Sequence, residues 1–433
     1  MNKEKFLIKG LGGRKKLSGT VAVNGAKNAA LPLMAASILF KDEIRLENIP
    51  DIEDIKRMGE LLELLGGEIE RTAPHCYTLS TSTMASSALD QELAKRMRAS
   101  VILIGPLLAR FGEVSFPHPG GCVIGERPID LFLDGFIAMG ATVEERSERY
   151  HISVPPKKQL KGANIFFRVQ SPTATETLMM AAVLAKGKTT LKNCAIEPEV
   201  KNLADFLVSS GAIIKGAGTS TIEIEGTGVL VARNTSYRAI PDRIEAGSFL
   251  ILGALCADHL EITDCDPSHL ESLTSSLSRS GVPMKIGKNS ITIFSNGSVK
   301  NSSFRSVNVK THEYPGFATD FQAPMAVFLT QTKGEGLVFE TIFEGRLQYA
   351  NDLVRMGANI SVWDAHRMMI KGPTPLKGKE LEAPDIRAGL AYLIAAAVAN
   401  DESIINNIYY IDRGYEAIEK RLKPLGLSIE RMR

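Results

Sequence analysis

Long apolar runs, paired cysteines and an excess charge of either sign are all missing from this 433-residue chain. Its most apolar stretches, residues 30–40 and 390–399, fall short of the roughly 18–20 residues that cross a bilayer. The opening Met-Asn-Lys-Glu-Lys-Phe has no apolar core of the secretory kind, so the sequence predicts a soluble, cytoplasmic protein. Five cysteines (Cys76, Cys122, Cys194, Cys256 and Cys265) are an odd number without a Cys-x-x-Cys pair. That argues against a zinc site and a disulfide framework and for a reducing compartment. A formal charge of +2 gives no whole-chain attraction to nucleic acid or to an anionic membrane, so any anion site depends on local placement of basic residues. No cofactor or metal is expected.

What the sequence does have is a repeat. Gly66, Gly140, Gly211, Gly281, Gly357 and Gly426 fall 74, 71, 70, 76 and 69 residues apart. Four residues before each stands Leu62, Phe136, Leu207, Leu277, Leu353 or Leu422, and eight before stands Met58, Phe132, Leu203, Leu273, Tyr349 or Ile418. Three after each stands Ile69, Val143, Ile214, Met284, Ile360 or Ile429. Apolar residues at i and i+4 mark the buried stripe of an amphipathic helix, and a glycine just past its end suits a left-handed C-terminal position. The apolar residue that follows opens a strand.

Upstream of each amphipathic helix lies an alanine-rich segment that is apolar nearly all round, at 29–40, 98–111, 175–185, 246–256, 321–330 and 388–399. Such segments predict buried helices. Polar breaks then lead to a strand: Lys41-Asp42-Glu43, Lys186-Gly187-Lys188, Ala257-Asp258-His259 and Asn400-Asp401-Glu402. Hairpin-like ends such as Ser295-Asn296-Gly297-Ser298 complete a βαβαββ-like unit. Six units in a chain of this length predict an α/β fold of two domains, three units each, with helices inside and sheets outside. The boundaries are expected to give 25–238 as the first domain and 239–433 with 1–24 as the second. A cleft between two such domains is the expected place for a small-molecule site.

Four stretches interrupt the repeat and are polar where a core is apolar. Lys27 and Asn28 open the first buried helix, where free N–H groups favour an anion, although an isolated lysine there is more often a solvated one. Cys122 lies in Pro119-Gly-Gly-Cys-Val-Ile-Gly-Glu-Arg-Pro128, a shaped loop with little bulk to bury a thiol and with Arg127 near enough to lower its pKa. Cys194 and Cys256, beside apolar runs, fit the ordinary fate of a buried cysteine. Arg98, Arg346, Arg387 and Arg413 recur at strand-to-helix junctions, the pattern of forks converging on phosphate or carboxylate, though each alone also fits a surface ion pair. Asp320 precedes the fifth buried helix, where a plain N-cap also explains it.

Together these stretches resemble the UDP-N-acetylglucosamine 1-carboxyvinyltransferases, within the enolpyruvyl transferase family. The carriers are Asn-Gly-Ala-Lys-Asn-Ala-Ala-Leu at 24–31, Met-Arg-Ala-Ser at 97–100, Pro-Gly-Gly-Cys-Val-Ile-Gly at 119–125, Pro-Asp-Arg-Ile-Glu-Ala-Gly at 241–247, Thr-Asp-Phe-Gln-Ala at 319–323 and Ile-Asp-Arg-Gly-Tyr-Glu at 411–416. The resemblance implies the inside-out α/β barrel architecture in two domains, with the active site in the cleft between them. It also implies transfer of an enolpyruvyl group from phosphoenolpyruvate to the sugar 3-hydroxyl, the step that opens peptidoglycan synthesis. By the same resemblance Lys27, Arg127 and Arg413 grip phosphoenolpyruvate. Cys122 is the general acid, forms a covalent adduct and is the target of fosfomycin-type epoxides. Asp320 is the base at the hydroxyl. Arg98, Arg127, Pro128, Ile129, Asp130, Leu131, Ser171 and Ile342 hold the nucleotide sugar, and Asn28, Arg346, Asp385 and Arg387 support the site.

The sequence departs from the family pattern at 171–175, where Ser-Pro-Thr-Ala-Thr replaces Ser-Val-Gly-Ala-Thr, at Gly345, where asparagine is common, and at Pro117-His118 before the cysteine loop. Two other readings stand beside it: the sister enzyme acting on shikimate 3-phosphate, whose Gly-Ser-Lys-Ser start is absent, and a silent paralogue that only binds a sugar nucleotide.

Overall fold

A computed structural model describes residues 4–118, 129–155, 159–232, 236–295 and 303–433, without the side chain of Arg96. Cys122, Arg127 and Pro128 lie outside the described residues, and so do the hairpin residues 296–298. The chain divides into two compact units, one holding the residues up to Asn24 and from Pro241 to Arg433, the other the described residues from Gly25 to Ile240.

Residues 164–225 show the repeating unit in full. The strand Asn164–Phe166 leads into the helix Pro172–Leu184, buried along nearly its whole length, and then the strand Lys188–Lys192. The amphipathic helix Pro198–Ser209 and the strands Ile213–Lys215 and Thr221–Glu225 follow. The first two strands are parallel (Leu191 beside Ile165), which requires the helix as a crossover, and the last two add antiparallel. Among the described residues this arrangement yields five four-stranded sheets and one three-stranded sheet.

Each repeat glycine ends its helix in the left-handed region, with φ between 91° at Gly140 and 107° at Gly357. The amphipathic helices before them include Glu53–Leu64, Glu271–Arg279 and Ile418–Leu422. At Gly281 an added Cβ would meet no atom within 4 Å, so backbone conformation alone demands glycine there.

The buried helices are Lys27–Ala36, Ile104–Phe111, Pro172–Leu184, Arg243–Cys256, Gln322–Gln331 and Ile386–Val398. Two begin later than the alanine-rich segments suggest, because 3-10 turns, Arg98–Leu103 and Thr319–Phe321, precede them. Proline accounts for both. Pro106 and Pro324 have no N–H to offer the carbonyls of Ile102 and Asp320 four residues back, so each removes one α-helical bond where the 3-10 turn gives way to the helix. Pro32 does the same to the carbonyl of Asn28 within the first buried helix.

Other departures come from pairing partners distant in sequence. Ala257-Asp258-His259 is not a break: the strand Ala257–Thr263 starts directly from its helix and pairs in parallel with Leu17–Ala22. The edge strand of the first unit, Ser236–Arg238, comes from the far end of the third and lies parallel to Ile44–Glu47. The last unit is completed by the chain's beginning, since Lys5–Lys9 lies between Glu402–Asn406 and Ser428–Met432. In the second unit the parallel edge is reduced to a single bridge, Ala88 to Ser115.

The linker after Lys5–Lys9 closes the C-terminal ends of two buried helices. Leu11 and Gly13 donate to the carbonyls of Ala397 and Val398. Lys16 N–H and the Lys15 ammonium do the same for Cys256 and Ala254. These are carbonyls that a helix cannot satisfy internally.

The glycine positions make opposite predictions under one substitution. Gly281→Ala forces a left-handed alanine and is expected to lower stability by about 1–2 kcal/mol. Gly59→Ala, inside the helix Glu53–Leu64 with open space around it, is expected to raise it by about 0.5–1 kcal/mol. Thermal melting of the two variants should therefore shift in opposite directions, and equal shifts would refute the role given to Gly281.

Candidate active site

Polar side chains gather at the N-terminal ends of the apolar helices. Lys27 and Arg243 are the first residues of their helices, and Arg387 is the second of its own. Ser171 caps another, while Arg98 and Asp320 sit in the 3-10 turns that precede the remaining two. These ends carry unsatisfied N–H groups and the positive pole of the helix dipole.

In the unit spanning Gly25 to Ile240, Lys27 is mostly buried rather than solvated. Its ammonium lies 2.5 Å from the carboxylate of Asp54, whose side chain is only 2% exposed. The helix Lys27–Ala36 has no side-chain cap and no acidic residue in its first turn, and Asn28 beside Lys27 is exposed. Gly25 is required by close approach, since a Cβ there would fall 1.6 Å from the carbonyl oxygen of Asn48.

The residues of this unit that the resemblance assigns to the nucleotide sugar stand at other helix starts. Arg98 is half-buried at the head of the turn Arg98–Leu103. Ile129 is buried as the N-cap of the helix Asp130–Ala138, in whose first turn Asp130 and the half-buried Leu131 stand. Asp130 pairs through one oxygen with Arg168, a residue that the sequence reading did not single out. Ser171 Oγ accepts the N–H of Ala174 at 3.2 Å. The Pro172 that departs from the family pattern occupies the first helical position, where a proline is favourable.

In the other unit, Asp320, Arg346 and Arg387 are in direct contact. Asp320 Oδ1 accepts Arg387 Nε at 2.7 Å and Arg346 Nη2 at 3.3 Å, so it is an ion-pair partner and not the N-cap that its position also suggested. Burial opposes its ionisation, but Arg387, then Arg346, and finally Arg243 overcome that and hold its carboxyl well below the ordinary carboxylate range. Asp385 caps the helix carrying Arg387 by accepting the N–H groups of Arg387 and Ala388 at 2.7 and 3.0 Å. Arg387 Nη1 donates to the hydroxyl of the buried Tyr415 at 2.9 Å.

Arg346 extends the network in the other direction. It donates to Thr319 Oγ1 at 2.8 Å, and Thr319 donates to Glu340 Oε2 at 2.7 Å. Glu340 is fully buried and also accepts the N–H groups of Ile342 and Phe343 at 2.8 and 3.1 Å, shaping the turn on which Ile342 sits. Thr319, Tyr415 and Arg243 lie in stretches that carry the resemblance but received no role from the sequence, and Glu340, outside all of them, was passed over. Arg413 does not stand at the strand-to-helix junction that the sequence suggests, the start of the sixth amphipathic helix. It ends the single turn Tyr409–Asp412, because Ala417 (φ 40°) breaks the chain direction before Ile418–Leu422 begins.

A family model of EPSP synthase (3-phosphoshikimate 1-carboxyvinyltransferase) matches residues 11–422. The UDP-N-acetylglucosamine 1-carboxyvinyltransferase of Koribacter versatilis is 45% identical over 432 residues, covering 99% of this chain and 96% of that protein. The chain belongs to the UDP-N-acetylglucosamine 1-carboxyvinyltransferase family. Relatives of the same name in Acidobacterium capsulatum and Helicobacter pylori are 45% and 40% identical, across 99% and 97% of this chain and 96% and 98% of theirs. In fold, this member of the carboxyvinyltransferase family is similar to the enolpyruvyl transferase NikO from Streptomyces tendae (TM-score 0.86, 24% identity, 99% of each chain). It is also similar in fold to an EPSP synthase from Acinetobacter baumannii (TM-score 0.72, 18% identity, 99% of this chain and 100% of that one). Among the described residues no helix is long and apolar enough to cross a membrane.

Ion pairing at Asp320 gives this carboxyvinyltransferase family member a testable stability signature. With 27% of its side chain exposed, solvent screens the pair in part, so Asp320→Asn is expected to cost about 2–4 kcal/mol at neutral pH by leaving Arg387 and Arg346 uncompensated. Because the folded carboxyl titrates below the unfolded one, the contribution is fully present above pH about 4 and fades as pH falls through the lowered value. Denaturant unfolding at pH 7 checks this, and a loss under about 0.5 kcal/mol would mean that screening cancels the pair.

Proposed function

We propose that this chain transfers the enolpyruvyl group of phosphoenolpyruvate to the 3-hydroxyl of UDP-N-acetylglucosamine, with release of phosphate. The observation that carries this reading is 45% identity over nearly the full length of proteins bearing that activity in their name. Its physiological place, on this reading, is the first committed step of peptidoglycan synthesis in the cytoplasm.

The chemistry assigns the residues as follows. Lys27, Arg127 and Arg413 hold the phosphate and carboxylate of phosphoenolpyruvate, a job suited to fixed cations and to guanidinium forks. Cys122 gives its proton to the methylene carbon, which leaves an oxocarbenium-like centre at C2. The sugar oxygen attacks that centre, its proton passes to Asp320, and a tetrahedral ketal forms. Loss of a proton from the new methyl group then expels phosphate and restores the double bond. A thiolate attacking C2 in place of the sugar gives the covalent adduct on Cys122.

The arginines around Asp320 qualify its part. A carboxylate held strongly ionised is a ready hydrogen-bond acceptor for a hydroxyl and a weak base toward a free alcohol. It takes the proton late, once the forming C–O bond has acidified the hydroxyl. Arg346 and Arg387 keep that carboxylate oriented, and Asp385 keeps Arg387 in place. The residues Arg98, Ile129, Asp130, Leu131, Ser171 and Ile342, with Arg127 and Pro128, hold the nucleotide sugar, and Asn28 lies beside Lys27.

Phosphate release from phosphoenolpyruvate should require UDP-N-acetylglucosamine. Release with shikimate 3-phosphate would move the chain to the sister activity, and none with either acceptor would leave a binding protein. An epoxide phosphonate of the fosfomycin type should label Cys122, and Cys122→Ala should take up none. Mass spectrometry that finds the label on another cysteine would withdraw the assignment of the loop thiol. Cys194 and Cys256 should stay unlabelled, because burial pushes both thiols up to about 12.

A further inference from the structure

The guanidinium of Arg431, in the strand Ser428–Met432, lies among three carboxylates. It meets Asp412 through a two-pronged fork at 2.9 and 2.7 Å, Glu419 at 3.2 Å through two nitrogens, and Glu4 at 3.2 Å. Its carbon centre stands 5.0 Å from the ring centroid of the buried Phe6, which is also its cross-strand neighbour. The hydrogen bond to Asp412 does most to raise its proton affinity, against burial, with Glu419 next.

Asp412 ends the single helical turn Tyr409–Asp412, and Arg413 follows it directly. One turn of helix does not hold itself in water, so tertiary contacts must fix it. Two are evident: the buried Ile411 and the fork on Asp412. The N–H of Arg413 bonds to Tyr409 of the same turn at 3.1 Å, so whatever holds the turn also sets the root of the Arg413 side chain. Two residues on, Tyr415 accepts the hydrogen bond from Arg387 that ties this segment to Asp320.

We propose that Arg431 is a positioning residue for Arg413, bracing the turn 409–412 from the C-terminal strand so that the Arg413 fork is preorganised for the anionic groups of phosphoenolpyruvate. This rests on the reading of Arg413 as a phosphoenolpyruvate ligand. Displacing a ligand-binding group by even about 1 Å costs as much as 100-fold. Glu4 and Glu419 bind the same guanidinium but lead to no candidate site residue, so they are structural partners of the brace.

Steady-state phosphate release with the nucleotide sugar saturating tests this. Arg431→Met and Asp412→Asn should each raise KM for phosphoenolpyruvate about tenfold, with kcat falling less than about threefold. The double variant should be no worse than either single, since both break one contact. Arg431→Lys keeps the charge without the fork and should recover only part of the affinity. Glu4→Gln should lower the melting temperature without moving KM. If Arg431→Met does not fold, Asp412→Asn carries the same expectation with the side-chain shape kept. An unchanged KM in Asp412→Asn, or an equal rise in Glu4→Gln, overturns the proposal and leaves Arg431 a brace for the termini alone. Inactivity of the unmodified protein would instead overturn the reaction on which it rests.

Discussion

A helix that is apolar nearly all round has almost no face to offer water, and the described residues contain six of them. Each must be covered all round, which an amphipathic helix or a sheet alone cannot do. In the unit closed by the chain termini, Arg243–Cys256, Gln322–Gln331 and Ile386–Val398 pack on one another, and the remaining cover comes from sheets outside. Their sequences then have to repeat, because each solves the same covering problem. The amphipathic helices, the left-handed glycines and the βαβαββ order are consequences of that demand.

Complete burial also dictates where polarity can go. The side of such a helix admits a charge only at high cost, and burial accordingly pushes the Glu176 carboxyl well above its ordinary range, so most charged groups stand towards the ends. Lys27, Arg98, Ser171, Arg243, Asp320 and Arg387 all stand at N-terminal ends or in the turns just before them. That pole favours anions, and both proposed substrates are anionic. The C-terminal ends of two of them, Arg243–Cys256 and Ile386–Val398, are dealt with differently, by backbone and lysine donors from the segment Leu11 to Lys16. In those two helices the candidate site residues and the closing donors thus stand at opposite ends.

Much of this was legible in the sequence because it is periodic. The glycines, the i and i+4 stripes and the alanine-rich segments fix element type without any knowledge of partners. What escaped depends on residues far apart in sequence. Nothing near Asp320 announces Arg387, 67 residues on, so its position alone allowed a helix cap. Glu340 gives no signal at all, since its value lies in the backbone N–H groups and hydroxyls folded around it. The 3-10 turns before two helices were readable in principle, from Pro106 and Pro324, but apolar composition outweighed that cue. The place of Arg413 was misjudged for a local reason, the left-handed Ala417.

The placement of Lys5–Lys9 between Glu402–Asn406 and Ser428–Met432 sets a timetable for the newborn chain. The strand Lys5–Lys9 has no lasting neighbour until Glu402–Asn406 and Ser428–Met432 leave the ribosome. The unit from Gly25 to Ile240 contains the sheet partners of its own strands and can close while the rest is still being made. At roughly 5–20 residues per second, the strand Lys5–Lys9 then waits on the order of 10–40 s for residues 241 to 432 to emerge, whereas Leu17–Ala22 meets its partner Ala257–Thr263 early in that interval. During that interval Phe6 and Ile8, which end fully buried, are exposed apolar residues on an unpaired strand. The charges beside them, Lys5, Lys9, Arg14, Lys15 and Lys16, keep that waiting segment basic and soluble.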